Sequence, residues 1–253
     1  MIYGLYTAAS GAFVEDAKAD MTANNLANIN TPGFRRDFMS FQSRGPESQE
    51  MDSTPDFAYA NDVLDTLGGG VVLHRVSHDL GAGEMQQTKR KLDFALTGEG
   101  YFEVDRAGKR LYTRAGNFTV DSQGRLVTAD GKGTVLGAGG GEIVLDDPEN
   151  TAVTKDGRFI RGVEEVGQLA VVRFADPAAL RKVGDAEFDT DQEALAFDGK
   201  VEQGILERSS VNPVTEMVNM IRGFRAYEAD LSVVKSIDST LDRVANSVAR
   251  VPA

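Results

Sequence analysis

Two histidines four residues apart, His74 and His78, are the first residues of this 253-residue chain that could bind a metal. On a helix that spacing turns two imidazoles toward one ion. Here Val71 to Val76 alternates like a strand, Gly81 and Gly83 follow, and the Glu of a His-Glu-x-x-His set is absent. Asp189, Asp191 and Glu193 alternate like the opening of a calcium loop, yet no Gly holds the sixth position, so an exposed acidic strand or turn is expected. Gly98-x-Gly100 lacks the third glycine of a dinucleotide loop and leads into a strand. The run Gly137 to Gly141 has no following Lys-Ser/Thr, so it reads as a turn and not as a phosphate cradle. With no Cys, thiol nucleophiles, disulfides and Cys–zinc sites are excluded. No Ser/His/Asp set has supporting context, and the many carboxylates include no marked pair. The expectation is a protein that is no enzyme and uses no cofactor or metal.

The chemistry left is hydrogen bonding and apolar association. Asn24, Asn25 and Asn28 sit late in a helical pattern, where Asn is a poor helix former and a good local hydrogen bonder. They are expected to bond the backbone, or neighbouring subunits, at the turn that Thr31-Pro32-Gly33 imposes. Phe34, Phe38 and Phe41 then anchor an otherwise polar stretch.

These residues must be held by long elements. From Pro213 to Arg250, steps of three and four land on Met217, Met220, Phe224, Tyr227, Leu231, Val234, Asp238, Leu241, Ala245 and Val248. This is a seam at heptad spacing on one helix, with Pro213 tolerated near its start. A helix of about 35 residues is roughly 50 Å long and needs a partner along its length. The N-terminus supplies one: Ile2, Leu5, Ala9, Ala12, Asp16, Ala19, Ala23 and Leu26 repeat the spacing with small residues that allow close approach. Asp16 and Asp238 either fix the register of these seams or turn to their solvated edges.

Charge is unevenly spread. Residues 1–44 hold four acidic and four basic side chains, and residues 213–253 hold five of each, so the whole net charge of −12 lies between them. Near-neutral, striped ends suit packing against copies of themselves, and an acidic middle stays solvated. The acidity argues against a nucleic-acid binder. No run approaches the ~18 apolar residues of a membrane span, so no membrane insertion is expected. The N-terminus lacks a basic segment followed by an apolar core, as a cleaved signal peptide would have.

Between the helices the apolar period changes to two. Tyr101 to Val104 and Arg110 to Thr113 flank Asp105-Arg106-Ala107-Gly108. Phe118 to Val120 and Leu126 to Thr128 flank Asp121-Ser122-Gln123-Gly124, and Ala152 to Thr154 and Phe159 to Arg161 flank Lys155-Asp156-Gly157. Val71 to Val76, Ile143 to Leu145 and Gln168 to Phe174 read as further strands, and Asp176-Pro177 as a short capped turn. The expected fold is α+β: N- and C-terminal helices pairing as a coiled coil, with an inserted antiparallel all-β middle, barrel- or sandwich-like. The expected segments are an N-terminal helix at 1–32, an extended arm at 33–70, a β domain at 71–208 and a C-terminal helix at 209–253.

Four blocks carry a family resemblance. Asn24-Asn25-Leu26-Ala27-Asn28 with Thr31-Pro32-Gly33-Phe34-Arg35-Arg36 resembles the N-terminal motif of the bacterial flagellar rod and hook family. Leu92-Asp93-Phe94-Ala95-Leu96-Thr97-Gly98-Glu99-Gly100-Tyr101-Phe102 resembles its central signature, as does Tyr112-Thr113-Arg114-Ala115-Gly116-Asn117-Phe118. Ser210-Val211-Asn212-Pro213-Val214 through Arg225-Ala226-Tyr227-Glu228 resembles its C-terminal motif. The blocks stand in the family's order and span most of the chain. The length and single middle domain fit rod subunits, and Asn-Pro-Val with Val233 to Asp238 is more similar to the proximal-rod (FlgF-like) type. Arg225 to Glu228 and the stretch from Gly70 to Thr88 are more similar to the distal (FlgG-like) type.

The resemblance implies a structural subunit of the basal-body rod. It implies terminal helices that assemble into a helical tube, drive shaft and export channel at once, across the periplasm. The implied partners are other copies, related rod and hook subunits, and the flagellar type III export apparatus, with export requiring no cleaved signal peptide. Leu5, Asn24, Asn25, Leu26, Asn28, Met220, Phe224, Tyr227, Leu231, Val234 and Leu241 are the expected assembly interface. Phe34 and Phe38, with Arg35 and Arg36, resemble a short export signal. A non-flagellar coiled-coil adaptor with a β head is the alternative; it would share the seams and lack the four blocks.

Overall fold

The computed structural model describes residues 2–43 and 70–248. Two long helices bracket the described chain, α1 (Ile2–Ala27) and α2 (Pro213–Val248). The strands between them are β1 (Asp37–Ser43), β2 (Val71–His78), β3 (Met85–Gln87), β4 (Phe94–Thr97), β5 (Tyr101–Arg106), β6 (Lys109–Thr113), β7 (Phe118–Val120), β8 (Leu126–Thr128) and β9 (Thr134–Val135). They continue as β10 (Ala152–Val153), β11 (Arg158–Arg161), β12 (Glu164–Gln168), β13 (Val171–Arg173), β14 (Arg181–Lys182), β15 (Glu187–Asp189), β16 (Leu195–Ala196), β17 (Lys200–Gln203) and β18 (Ile205–Glu207). Two compact units result. Among the described residues, one is helical, made of residues 2–26, 37–43, 70–77 and 213–248; the other is a β body, made of residues 27–36 and 78–212.

The β body forms where local turn chemistry demands it. β5 and β6 close around Ala107-Gly108, both at positive φ (56° and 81°), and the Asp105 carboxylate accepts the Gly108 N–H at 3.0 Å. β7 and β8 close around a turn whose Asp121 carboxylate accepts the Gln123 and Arg125 N–H groups. The Asp176–Pro177 turn is present as read, with Asp176 accepting the Ala178 N–H. Ile143 to Leu145, expected as a strand, makes only an isolated bridge from Val144 to Arg125, although Ile143 and Leu145 are buried.

The expectation of a barrel-like closure needs correcting. The main sheet runs β14-β15-β6-β5-β9-β8-β7 and stays open at both ends. One edge of β5 forks, pairing Val104 and Asp105 with β9 but Tyr101 and Phe102 with β13. A strand that divides one edge between two neighbours cannot hand on the continuous ladder that barrel closure requires. The fork leaves β5 covered on both faces. Phe102 and Val104 join a core with Phe94, Leu96, Phe118, Leu126 and Phe159, and Tyr101 joins Tyr112, Phe174, Leu180 and Phe188 on the other side. Each such side chain contributes about 1.5–3 kcal/mol of burial.

In the helical unit α1 and α2 run antiparallel. A Cβ at Gly4 would lie 3.5 Å from Ile237, one at Gly11 would lie 2.9 Å from the Asp230 carboxylate, and one at Gly223 would lie 3.9 Å from Glu15. β1 and β2 form a two-stranded ribbon in the same unit. Residues 44–69, the greater part of the expected 33–70 arm, lie outside the described residues.

Candidate functional site

Exposure along the helices marks the candidate surface. On α2 the shielded positions are Glu216, Met220, Gly223, Tyr227, Asp230, Val234, Ile237 and Leu241, again at heptad spacing. Met220, Tyr227, Val234 and Leu241 thus lie on the face covered within the chain, and Leu231 at its half-buried border. Phe224 is 53% exposed and Met217 46%. With Val214, Val218 and Ile221 they form an apolar stripe along about three turns of α2, open on the side away from the covered face. On α1, Ala12 and Val14 are buried and Leu5 and Leu26 half-buried, while Tyr6 and Phe13 are exposed. Asp16 and Asp238 are both exposed, at the solvated edges of their helices.

The asparagine motif is built into the end of α1. Asn25 is fully buried, and its amide grips the Asp37 backbone from both sides. Its Nδ2 donates to the Asp37 carbonyl at 2.8 Å, and its Oδ1 accepts the Asp37 N–H at 2.9 Å. Only a side chain with donor and acceptor on one plane can make this pair. Asn28 Oδ1 accepts the Thr31 hydroxyl at 3.0 Å, closing the turn after the helix, and Asn24 faces outward. Lys18 sits over the Phe41 ring at 5.1 Å, and Phe38, on β1, is 40% exposed.

Inside the β body a second buried construction ties the incoming chain to the outgoing one. Glu207, only 1% exposed, faces two arginines: Arg35 at 2.8 Å through one oxygen and Arg114 at 3.4 Å through the other. The first oxygen also accepts the Gly83 N–H at 2.8 Å. Arg35 donates to the Gly81 carbonyl and Arg114 to the Gly98 carbonyl, so both guanidiniums have further acceptors. Burial pulls the Arg114 guanidinium below its ordinary value, opposed by the attraction of Glu207. Burial likewise pushes the Tyr101 phenol up, opposed by Arg114, which stacks 5.3 Å from its ring. Backbone bonds run beside these pairs, from Gly33 N–H to the Glu207 carbonyl and from Ser210 N–H to the Phe34 carbonyl. Gly33 has φ +66°, and a Cβ there would strike the Arg114 backbone. Phe34 is fully buried, with the Lys182 ammonium 3.7 Å from its ring centre.

Arg35, Arg114 and Glu207 lie within or beside blocks that the sequence marks out, but nothing in their spacing joins them; only the fold does. His74 and His78 fall on β2 as a strand pattern requires. Among the described residues no helix is long and apolar enough to cross a membrane, and no three potential metal ligands cluster.

One unit closes on itself and the other keeps an open apolar face. Residues 5–35 match the flagella basal body rod protein model, residues 95–160 the flagellar hook protein FlgE/F/G D1 domain, and residues 202–247 the flagellar basal body rod FlgEFG protein C-terminal model. The flagellar basal-body rod protein FlgF of Caulobacter vibrioides is 34% identical over 253 residues, covering 98% of this chain and 97% of its own. FlgG of Agrobacterium fabrum is 30% identical over 96% of this chain and 98% of its own, and FlgG of Bacillus subtilis 29% identical over 97% and 99%. The chain belongs to the flagellar basal-body rod proteins of the FlgF/FlgG type and is a structural rod subunit.

Proposed function

We propose that this subunit polymerises through its terminal helices into a helical tube that serves the flagellum as drive shaft and export channel across the periplasm. The observation that carries the reading is the open apolar stripe Val214–Met217–Ile221–Phe224 on a helix already covered on its other face. A face of that kind on a near-neutral helix calls for a protein neighbour. Repeated contact between unlike faces gives an open helical polymer unless the rotation closes. Within each subunit α1 and α2 pair as a short antiparallel coiled coil. Leu5, Asn24, Asn25, Leu26, Asn28 and the α2 positions from Met220 to Leu241 hold the helical core of the assembly together.

The subunit reaches its site unfolded, through the type III export apparatus. Of the short aromatic-basic stretch Phe34–Phe38, Phe34 is buried in the β body and is accessible to that apparatus only before the body folds. Related rod and hook subunits are its neighbours, and its role is mechanical and not catalytic. Of the two rod types, the proximal one is preferred, supported by the Asn212-Pro213-Val214 start of α2 and by the identity to a FlgF.

Limited proteolysis of the purified monomer and of the polymer, read by mass spectrometry, tests the reading. A β body of roughly residues 85–210 that outlasts the helices in the free monomer, with the helices protected further in the polymer, is expected for a helix pair whose open face is covered only in an assembly. Helices no better protected in the polymer than in the free monomer would sink it.

A further inference from the structure

The open faces of the two helices carry opposite charge, in each case as a pair about one turn apart. On α1, Asp16 and Asp20 are one turn apart and exposed, on the same face as Tyr6 and Phe13. On α2, Arg222 and Arg225 are likewise one turn apart and exposed, alongside Ile221 and Phe224. None of the four makes an ion pair among the described residues, although most of the β body's surface arginines do. Positions three and four apart stand about 5–6 Å from one another on a helix, so two carboxylates on one helix can face two guanidiniums on another. Glu228, exposed one turn after Arg225, ends the cationic patch and so limits the register in which the faces can meet.

Resting on the tube reading above, we infer that the outward face of α1 on one copy docks on the outward stripe of α2 on a second copy. Asp16 and Asp20 meet Arg222 and Arg225, and the aromatic side chains Tyr6 and Phe13 extend the contact along the helices. The two faces differ, so each subunit presents one of each, and the contact propagates instead of closing a dimer. Partly desolvated charge pairs flanked by apolar groups fix partner and register more than they add affinity.

Charge reversal tests this in the full-length chain. Asp16→Arg with Asp20→Arg leaves both faces basic; Arg222→Asp with Arg225→Asp leaves both acidic. Each variant alone is expected to polymerise at least tenfold more slowly than the unaltered chain, by light scattering and electron microscopy. An equimolar mixture is expected to regain growth, with both variants in every polymer. Rescue by mixing requires that the pairs form between copies. Full growth of either variant alone, or a mixture that stays soluble, overturns the assignment and leaves the tube reading intact. An unaltered chain that never polymerises overturns both. Should a reversed variant misfold, a cross-link decides: the chain has no Cys, so Asp20→Cys on one copy and Arg222→Cys on another should form a disulfide only in the polymer. Failure to link in a formed polymer also overturns the assignment.

Discussion

The β body and the helical unit use their apolar residues differently. In the body, period-two strands find partners a few residues away, both faces of β5 are covered, and the buried charges of Arg35, Glu207 and Arg114 are matched to one another. In the helical unit, α2 spends one side on α1 and leaves Val214, Met217, Ile221 and Phe224 in water. The contrast separates two tasks. Contacts that close within the chain make a domain that folds alone; contacts left open make the chain a monomer of something larger.

The largest expected effect breaks the comparison on its helical side. Leu231→Asp, on the half-buried border of α2, should abolish polymer formation while the thermal transition of the β body stays where it was; a rod that incorporates the variant would disprove the division. Next, the body should be undone from inside: Glu207→Gln leaves two buried guanidiniums facing a neutral group and should destabilise the body by about 3–5 kcal/mol in urea denaturation. A loss below about 1 kcal/mol would mean that the network is incidental. A smaller change sharpens the boundary between the regions. Asn25→Ala removes both bonds to Asp37 and should cost about 1–3 kcal/mol locally, seen as faster amide exchange at Asp37 with the body's transition unmoved. The smallest effect is electrostatic. Bonding from the Lys109 ammonium holds the Asp189 carboxyl below its usual range, and the Asn150 side chain does the same for Asp147. A depressed carboxylate stabilises the fold above its unfolded value of about 3.9, and that contribution is lost as the pH falls through the folded value. The body's urea midpoint should therefore fall below about pH 4, and Lys109→Met should reduce that fall.

The hairpins were legible because their signals are local: Asp-x-x-Gly turns and alternating side chains fix each pair within a dozen residues. The openness of the sheet was not legible, since the fork of β5 depends on β13, some seventy residues away. The helices were legible in extent, and their seams only in part. Counting apolar residues places Met217 and Phe224 inward, but the structure places Glu216 and Gly223 there. Hydrophobicity undervalues glycine, whose lack of a side chain is what lets the helices approach at Gly4, Gly11 and Gly223. The asparagine motif announced hydrogen bonding at a turn, and Asp37 supplied the partner. The Glu207 network gave no such notice, because its members are dispersed from residue 35 to residue 207.

β3 and β18 pair along Met85–Gln87 and Ile205–Glu207, so the long segment between them leaves and returns at a single point. A fold whose ends meet behaves as a cassette. It can be lengthened, trimmed or exchanged between one pair of hinges without altering the spacing of the segments on either side, and the entropy of closing its loop depends only weakly on how many residues it holds. Met85 and Glu207 are therefore the points between which one pair of terminal helices could carry a β body of many sizes.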